Sequence, residues 1–178
     1  QAFTGLIELK LAGVFNSRQA CFSDDLSVQN WPQQLATAPA YQKQELLDYL
    51  AALPSPKVLV DITPSKAFAE GYGDFVQTGC HLISANKQGV TLPLAQYQQI
   101  KQAAEQQQVQ WLSNTTVGAG LPVQRLLQEL KSSGDTVHRI SGIFSGTLSW
   151  LLAKFDGSKA FSDFVQEAQQ LGLTEPDP

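Results

Sequence analysis

Short apolar runs alternate with helical stretches through the first two thirds of this chain, and that alternation restricts its fold more than any other feature. Lys57-Val58-Leu59-Val60-Asp61, His81 to Ser84 and Val109 to Leu112 are too short for helices and suit strands buried in a parallel sheet. Between them, Thr63-Pro64-Ser65 turns the chain into a helical segment through about Gln77, closed by Gly79. Leu94 to Gln107 follows as a glutamine-rich helix with Tyr97, Ile100 and Ala104 inward. Upstream, Ile7 to Phe15 alternates and then becomes continuously apolar, as a strand entering a sheet does, and Asn16-Ser17-Arg18 ends it. Ser23 to Ala40, with Pro32 and Pro39, reads as irregular connection. Lys43 to Leu53 then places Leu46, Leu47, Leu50 and Leu53 on one helical face before Pro54 and Pro56 stop it. Strand and helix alternate four times, the order of a parallel α/β sheet built from crossovers.

After Pro122 the character changes. Val123, Leu126, Leu127 and Leu130 mark an amphipathic helix ending at Gly134-Asp135, and Thr136 to Phe144 alternates like a strand with one exposed or helix-covered face. Ser145-Gly146-Thr147 opens a helix from Leu148 to Phe155, and Phe161, Phe164, Val165, Ala168 and Leu171 recur at helical spacing. The expectation is two domains, residues 1–115 and 116–178.

Composition removes several function classes. Net charge is −4 and no lysine or arginine cluster occurs, so nucleic acid has no basic surface to meet. No apolar run reaches the roughly 18 residues that span a bilayer, and no signal-peptide pattern opens the chain, which makes cytoplasmic the default. Cys21 and Cys80 lack metal-type spacing, and His81 and His138 sit in strand-like apolar runs where a packed histidine outweighs a catalytic one. The chain contains no methionine and starts at Gln1 in mid-element, so it reads as a fragment.

In open parallel sheets ligands bind beyond the carboxyl ends of the strands. That rule selects Asn16-Ser17-Arg18, Asp61-Ile62-Thr63, Asn86-Lys87 and the Val117-Gly118-Ala119-Gly120 loop. A neutral residue with an arginine beside it at the end of a second strand accommodates a 2′-phosphate, so Asn16, Ser17 and Arg18 lean toward NADP; a solvated surface arginine is the competing reading. Thr63 offers a hydroxyl and Lys87 a charge where a cofactor or carboxylate lies, against a cap and a surface lysine. Glu175 and Asp177, spaced by prolines, fit either a helix exit or a hold on a substrate ammonium. The Val117-Gly118-Ala119-Gly120-Leu121-Pro122 loop joins a strand to a helix, as a bare connection or as a ligand site. No Gly-x-Gly-x-x-Gly occurs, and Gly71-Tyr72-Gly73 lacks a third glycine, so residue patterns alone reach an α/β domain with a nucleotide crevice.

The contiguous motifs go further. Val60-Asp61-Ile62-Thr63, Ile83-Ser84-Ala85-Asn86-Lys87, Thr115-Thr116-Val117-Gly118-Ala119-Gly120-Leu121-Pro122, Ile140-Ser141-Gly142-Ile143-Phe144-Ser145-Gly146-Thr147-Leu148-Ser149 and Gly172-Leu173-Thr174-Glu175-Pro176-Asp177-Pro178 resemble, in this order, the homoserine dehydrogenases. Ile140 to Ser158, with Trp150 and Phe155-Asp156-Gly157-Ser158, resembles the branch of that family fused to an aspartate kinase. The resemblance implies a Rossmann-type parallel sheet, its first strand and phosphate loop ahead of Gln1, followed by the start of an α+β catalytic and dimerisation domain. It implies reduction of L-aspartate 4-semialdehyde to L-homoserine with NADPH, NAD being the other cofactor, in threonine and methionine biosynthesis. Thr63, Lys87 and Gly172 would contact the cofactor, Lys87 would also lie close to the substrate, and Glu175 would hold the substrate amino group. Carbonyl oxygens of Val117, Ala119 and Leu121 would bind sodium, although Asn114 stands where family members often carry a glutamate. The acid/base lysine and its preceding aspartate would lie beyond Pro178, and the protein would form a homodimer or larger homo-oligomer. Two rivals stand: another NADP-dependent oxidoreductase of similar architecture, which as an aldehyde dehydrogenase would need an activated cysteine, and a non-catalytic regulatory or oligomerisation module.

Overall fold

Which strands find partners decides how the alternating pattern folds. The computed structural model describes residues 9–23, 25–118 and 120–174 and divides into two units, Gln1–Leu53 and Pro54–Pro178.

In the first unit, β1 (Gly13–Phe15) pairs antiparallel with β2 (Ala20–Phe22), Val14 facing Cys21. Asn16-Ser17-Arg18 is therefore a hairpin turn and not the exit of a parallel strand. The Asn16 side chain makes that turn, its Oδ1 accepting from Arg18 N at 2.8 Å and Gln19 N at 2.9 Å, as asparagine does in tight turns. Ile7 and Glu8, the start of the expected strand, lie outside the described residues. The expected irregular stretch contains a short helix, α1 (Trp31–Ala36), because Pro32 occupies its first turn, where a missing N–H costs nothing. Helix α2 (Lys43–Ala52) buries Leu46 and Leu50 as its spacing predicts and starts from a reciprocal cap between Gln42 and Glu45. Phe22 stacks on Tyr49 at 4.3 Å, and the Tyr49 hydroxyl donates to the Ala12 carbonyl at 2.6 Å.

The second unit carries the parallel α/β sheet. Strands β3 (Lys57–Asp61), β4 (Cys80–Ser84) and β5 (Trp111–Leu112) lie in that order, with Lys57 opposite Cys80, Asp61 opposite Ser84 and Leu82 opposite Trp111. The β3–β4 crossover is two helices, α3 (Lys66–Glu70) and α4 (Tyr72–Gln77), because the chain breaks at Gly71. Ser65 caps α3, its hydroxyl accepting from Phe68 N at 3.1 Å. Beyond β4 a 3-10 turn (Lys87–Thr91) leads into α5 (Leu94–Gln106), which buries Ile100, Ala103 and Ala104. Leu59, Tyr72, Phe75, Val76, Leu82 and Trp111 fill the inner face of the sheet, while Val58, Val60, Ile83 and Leu112 alternate outward and are exposed.

Downstream, α6 (Val123–Ser132) buries none of its residues. Thr136 to Phe144 forms no strand: no described segment pairs with it, and a lone extended chain has no ladder for its N–H and C=O groups. Helices α7 (Gly146–Lys154) and α8 (Phe161–Gln170) pack through Leu151, Phe164 and Ala168.

Candidate functional site

At the carboxyl edge of the parallel sheet the strands give way to polar residues, and the first of these is buried. Asp61 ends β3 on the face that period-two alternation turns inward with Leu59, and only 1% of it is exposed. A carboxylate there needs hydrogen bonds from every side. Its Oδ1 accepts from Thr63 N at 2.8 Å, and its Oδ2 from the Tyr72 hydroxyl at 2.6 Å and Asn86 Nδ2 at 2.9 Å. Burial, reinforced by the Asp61 carboxylate, pushes the Tyr72 phenol well above its ordinary value, so it stays protonated and donates.

Asn86 continues the network one strand over. Its Nδ2 also donates to the Ser65 carbonyl at 2.9 Å, and its Oδ1 accepts from Gln88 N at 2.9 Å, starting the 3-10 turn. Ala85 N donates to the Asp61 carbonyl at 2.8 Å, extending the parallel ladder past Ser84. Ser84 accepts from Trp111 Nε1 at 3.0 Å, which brings β5 to the same edge.

Thr63 and Lys87, singled out by the strand-end rule, come to this one edge of the second unit, two and three residues beyond paired Asp61 and Ser84. Thr63 is half-buried and its hydroxyl oxygen accepts from Ser65 N at 3.3 Å, leaving its hydrogen to donate. Lys87 is exposed at the head of the turn. A hydroxyl and an ammonium at the carboxyl edge of parallel strands can donate to polar groups of a ligand bound there.

Sequence reasoning passed over Tyr72, and marked Asn86 at a strand end without giving it a role. The readable signal was the one acid in the apolar run Lys57 to Asp61, at an inward position that demands partners.

The remaining candidates lie on other elements. Asn16, Ser17 and Arg18 are exposed on the hairpin of the first unit, where the Asn16 carbonyl also accepts from the Tyr41 hydroxyl at 3.0 Å. In the loop after β5, Gly118 takes φ +72°, a conformation that glycine adopts without strain. Its carbonyl accepts from Leu121 N at 3.0 Å, and the Leu121 carbonyl from Val123 N at 2.8 Å. Val117 is half-buried and Leu121 exposed, and Ala119 lies outside the described residues. Gly172, at φ +70°, ends α8 with Leu173 N donating back to the Ala168 carbonyl at 2.9 Å, while the Thr147 hydroxyl donates to the Leu173 carbonyl. Glu175 and Asp177 lie outside the described residues. Among the described residues no helix is long and apolar enough to cross a membrane, and no group of histidine, cysteine and acidic side chains could hold a metal ion.

Residues 1–114 match the family model described as homoserine dehydrogenase, NAD binding domain, and residues 122–178 match the model for homoserine dehydrogenase. The chain is 44% identical over 174 residues to bifunctional aspartokinase/homoserine dehydrogenase 2 of Escherichia coli (strain K12), which is 96% of this chain and 22% of that protein. It spans about a fifth of the length of such bifunctional relatives. A crystal structure of a Candida auris protein of unknown function superposes with a TM-score of 0.81 at 32% identity, covering 99% of this chain and 51% of that one. A hyperthermophilic archaeal homoserine dehydrogenase in complex with NADPH has a TM-score of 0.73 at 21% identity over 94% of this chain and 53% of that one, a likeness of fold.

Proposed function

We infer function from the premise that this chain belongs to the homoserine dehydrogenase family. We propose that it is part of an enzyme that reduces L-aspartate 4-semialdehyde to L-homoserine with NADPH. The observation that carries this reading is the convergence of Thr63 and Lys87 on one edge of a parallel sheet, with Asp61 and Asn86 bonded between them. A nicotinamide cofactor, when bound, supplies the hydride that reduces the aldehyde carbon. Thr63 and Lys87 hold and orient that cofactor, and Lys87 places positive charge beside the substrate carbonyl, where negative charge develops as the carbon is reduced. Gly172 lets the backbone approach the nicotinamide, and Glu175 holds the substrate ammonium. Arg18, with Asn16 and Ser17, favours the 2′-phosphate and so NADP over NAD.

The finer assignments follow from the same premise. The cofactor domain runs over residues 1–115 and the catalytic domain starts at 116, a division supported by family-model matches that stop at 114 and resume at 122. Carbonyl oxygens of Val117, Ala119 and Leu121 take a sodium ion, supported by the tight turn at Gly118. Leu126, Ile143, Phe144 and Leu148, all exposed, supply a homo-oligomer surface. The enzyme works in the cytoplasm, joined to an aspartokinase as in the Escherichia coli relative.

The test is semialdehyde-dependent loss of NADPH absorbance by the full-length protein. Lys87→Ala and Glu175→Ala are each expected to lower kcat/KM by about tenfold or more, the loss of one charged contact. Wild-type rates in both variants would remove the site assignment, and no turnover by the unaltered protein would remove the function.

A further inference from the structure

The loops that carry Thr63 and Lys87 are bonded to each other through side chains that no ligand can reach. Asp61, Tyr72 and Asn86 are 1%, 0% and 3% exposed, so whatever they contribute is exerted through their neighbours. Apart from the bonds among themselves, Asp61 and Asn86 bond Thr63, Ser65 and Gln88, within two residues of the two site positions. Asp61 takes the Thr63 N–H and Asn86 takes the Ser65 carbonyl, which fixes the first loop at two points. Asn86 Oδ1 also accepts from Gln88 N, so Lys87 stands between a residue held by its side chain and one held by its backbone N–H. The Asp61 to Asn86 bond closes the clip, and the Tyr72 hydroxyl orients the carboxylate oxygen that makes it.

Stability alone is a poor reason for such a device, because a buried charged group is commonly matched or bettered by a well-packed apolar one. Its distinctive product is a fixed separation between two loops that would otherwise move independently. Resting on the function proposed above, we propose that Asp61, Tyr72 and Asn86 are positioning residues that hold Thr63 and Lys87 at the spacing the nicotinamide cofactor requires, and so set its affinity. The cofactor then meets a preformed edge and loses no binding energy to ordering two loops.

Tyr72→Phe and Asn86→Ala test this in the full-length protein, with Cys80→Ala as a buried control at the opposite end of β4. KM for NADPH, kcat and Tm are measured for each. Tyr72→Phe is expected to raise KM for NADPH about threefold and Asn86→Ala about tenfold, with saturating cofactor restoring most of the rate. Cys80→Ala is expected to lower Tm and leave KM unchanged. If both variants lose Tm while KM stays at the wild-type value, the inference is overturned; a raised KM in Lys87→Ala would show that the functional reading survives that result. An unaltered protein that neither binds nor oxidises NADPH overturns both. Should Asn86→Ala fail to fold, Tyr72→Phe, which keeps the ring and removes one oxygen, decides the matter.

Discussion

Gly89→Ala is expected to destabilise the protein far beyond the usual effect of adding one methyl group. Gly89 lies in the 3-10 turn after β4, where a Cβ would meet Tyr72 Cε2 at 2.5 Å and Trp111 Cζ2 at 3.1 Å. Carbon atoms pack best at about 3.5–4.0 Å, so the contact with Tyr72 demands a displacement of about 1 Å. Trp111 blocks the methyl on one side, and Tyr72 is fully buried on the other. If the Tyr72 ring gives way, its hydroxyl is drawn off the 2.6 Å bond to Asp61, and a shift of about 1 Å exceeds what a hydrogen bond tolerates. Overpacking costs about 1–3 kcal/mol and a bond to a charged group about 1.5–3 kcal/mol, so a loss of about 3 kcal/mol is expected. For a chain of this size that lowers Tm by about 6–12 °C. Urea and thermal denaturation of the wild type, Gly89→Ala, Tyr72→Phe and the double variant measure it as a cycle. Without the hydroxyl the ring has no tether, so Gly89→Ala should cost about 1–2 kcal/mol less in the Tyr72→Phe background. A Gly89→Ala variant within about 0.5 kcal/mol of wild type, or a cycle additive within about that margin, would refute the coupling of packing to the buried carboxylate.

Tyr72 has a folded-state pKa raised above its unfolded value, so its contribution is complete below about pH 10 and lost as pH climbs toward the folded value. The stability gap between wild type and Tyr72→Phe should therefore narrow above pH 10 by up to about 1.4 kcal/mol per pH unit; a gap constant to pH 11 would count against a buried, bonded phenol. Ser145→Ala removes the hydroxyl that accepts from Leu148 N at 3.2 Å and should cost about 1 kcal/mol in chemical denaturation, with Ser145→Asp largely retaining it. Arg18→Ala should raise KM for NADPH about tenfold and leave KM for NADH within about twofold, measured in paired cofactor titrations; equal effects on the two would remove Arg18 from the 2′-phosphate.

The parallel sheet was legible because Lys57 to Asp61 and His81 to Ser84 are apolar runs of strand length between helical segments, and the structure pairs them in parallel. Ile100 and Ala104 were legible as the inner side of α5 by helical spacing alone. The break at Gly71 was not, since Tyr72, Phe75 and Val76 continue the apolar pattern across it. The antiparallel hairpin at Asn16 escaped as well: one strand of three residues pairs with another of three, and runs so short carry almost no periodicity. Thr136 to Phe144 has strand composition but no partner among the described residues, and pairing is a property of two segments. Thr63, Asn86 and Lys87 were readable as positions at strand ends. The bonds of Tyr72 and Asn86 to Asp61 were not, because they depend on which groups face a buried oxygen, and only the folded chain settles that.

The bonds that lock the sheet edge also reset its clock. Turns beyond strand ends ordinarily exchange their amide hydrogens with water quickly, since local opening exposes them. Here the N–H groups of Thr63, Ala85 and Gln88 are donated to Asp61 Oδ1, the Asp61 carbonyl and Asn86 Oδ1. Releasing the first or the last disturbs a buried carboxylate or its amide partner, and releasing the second opens the β3–β4 ladder. The rim that carries Thr63 and Lys87 should thus exchange on the timescale of the sheet interior, behaving in time as core while lying in space at the surface.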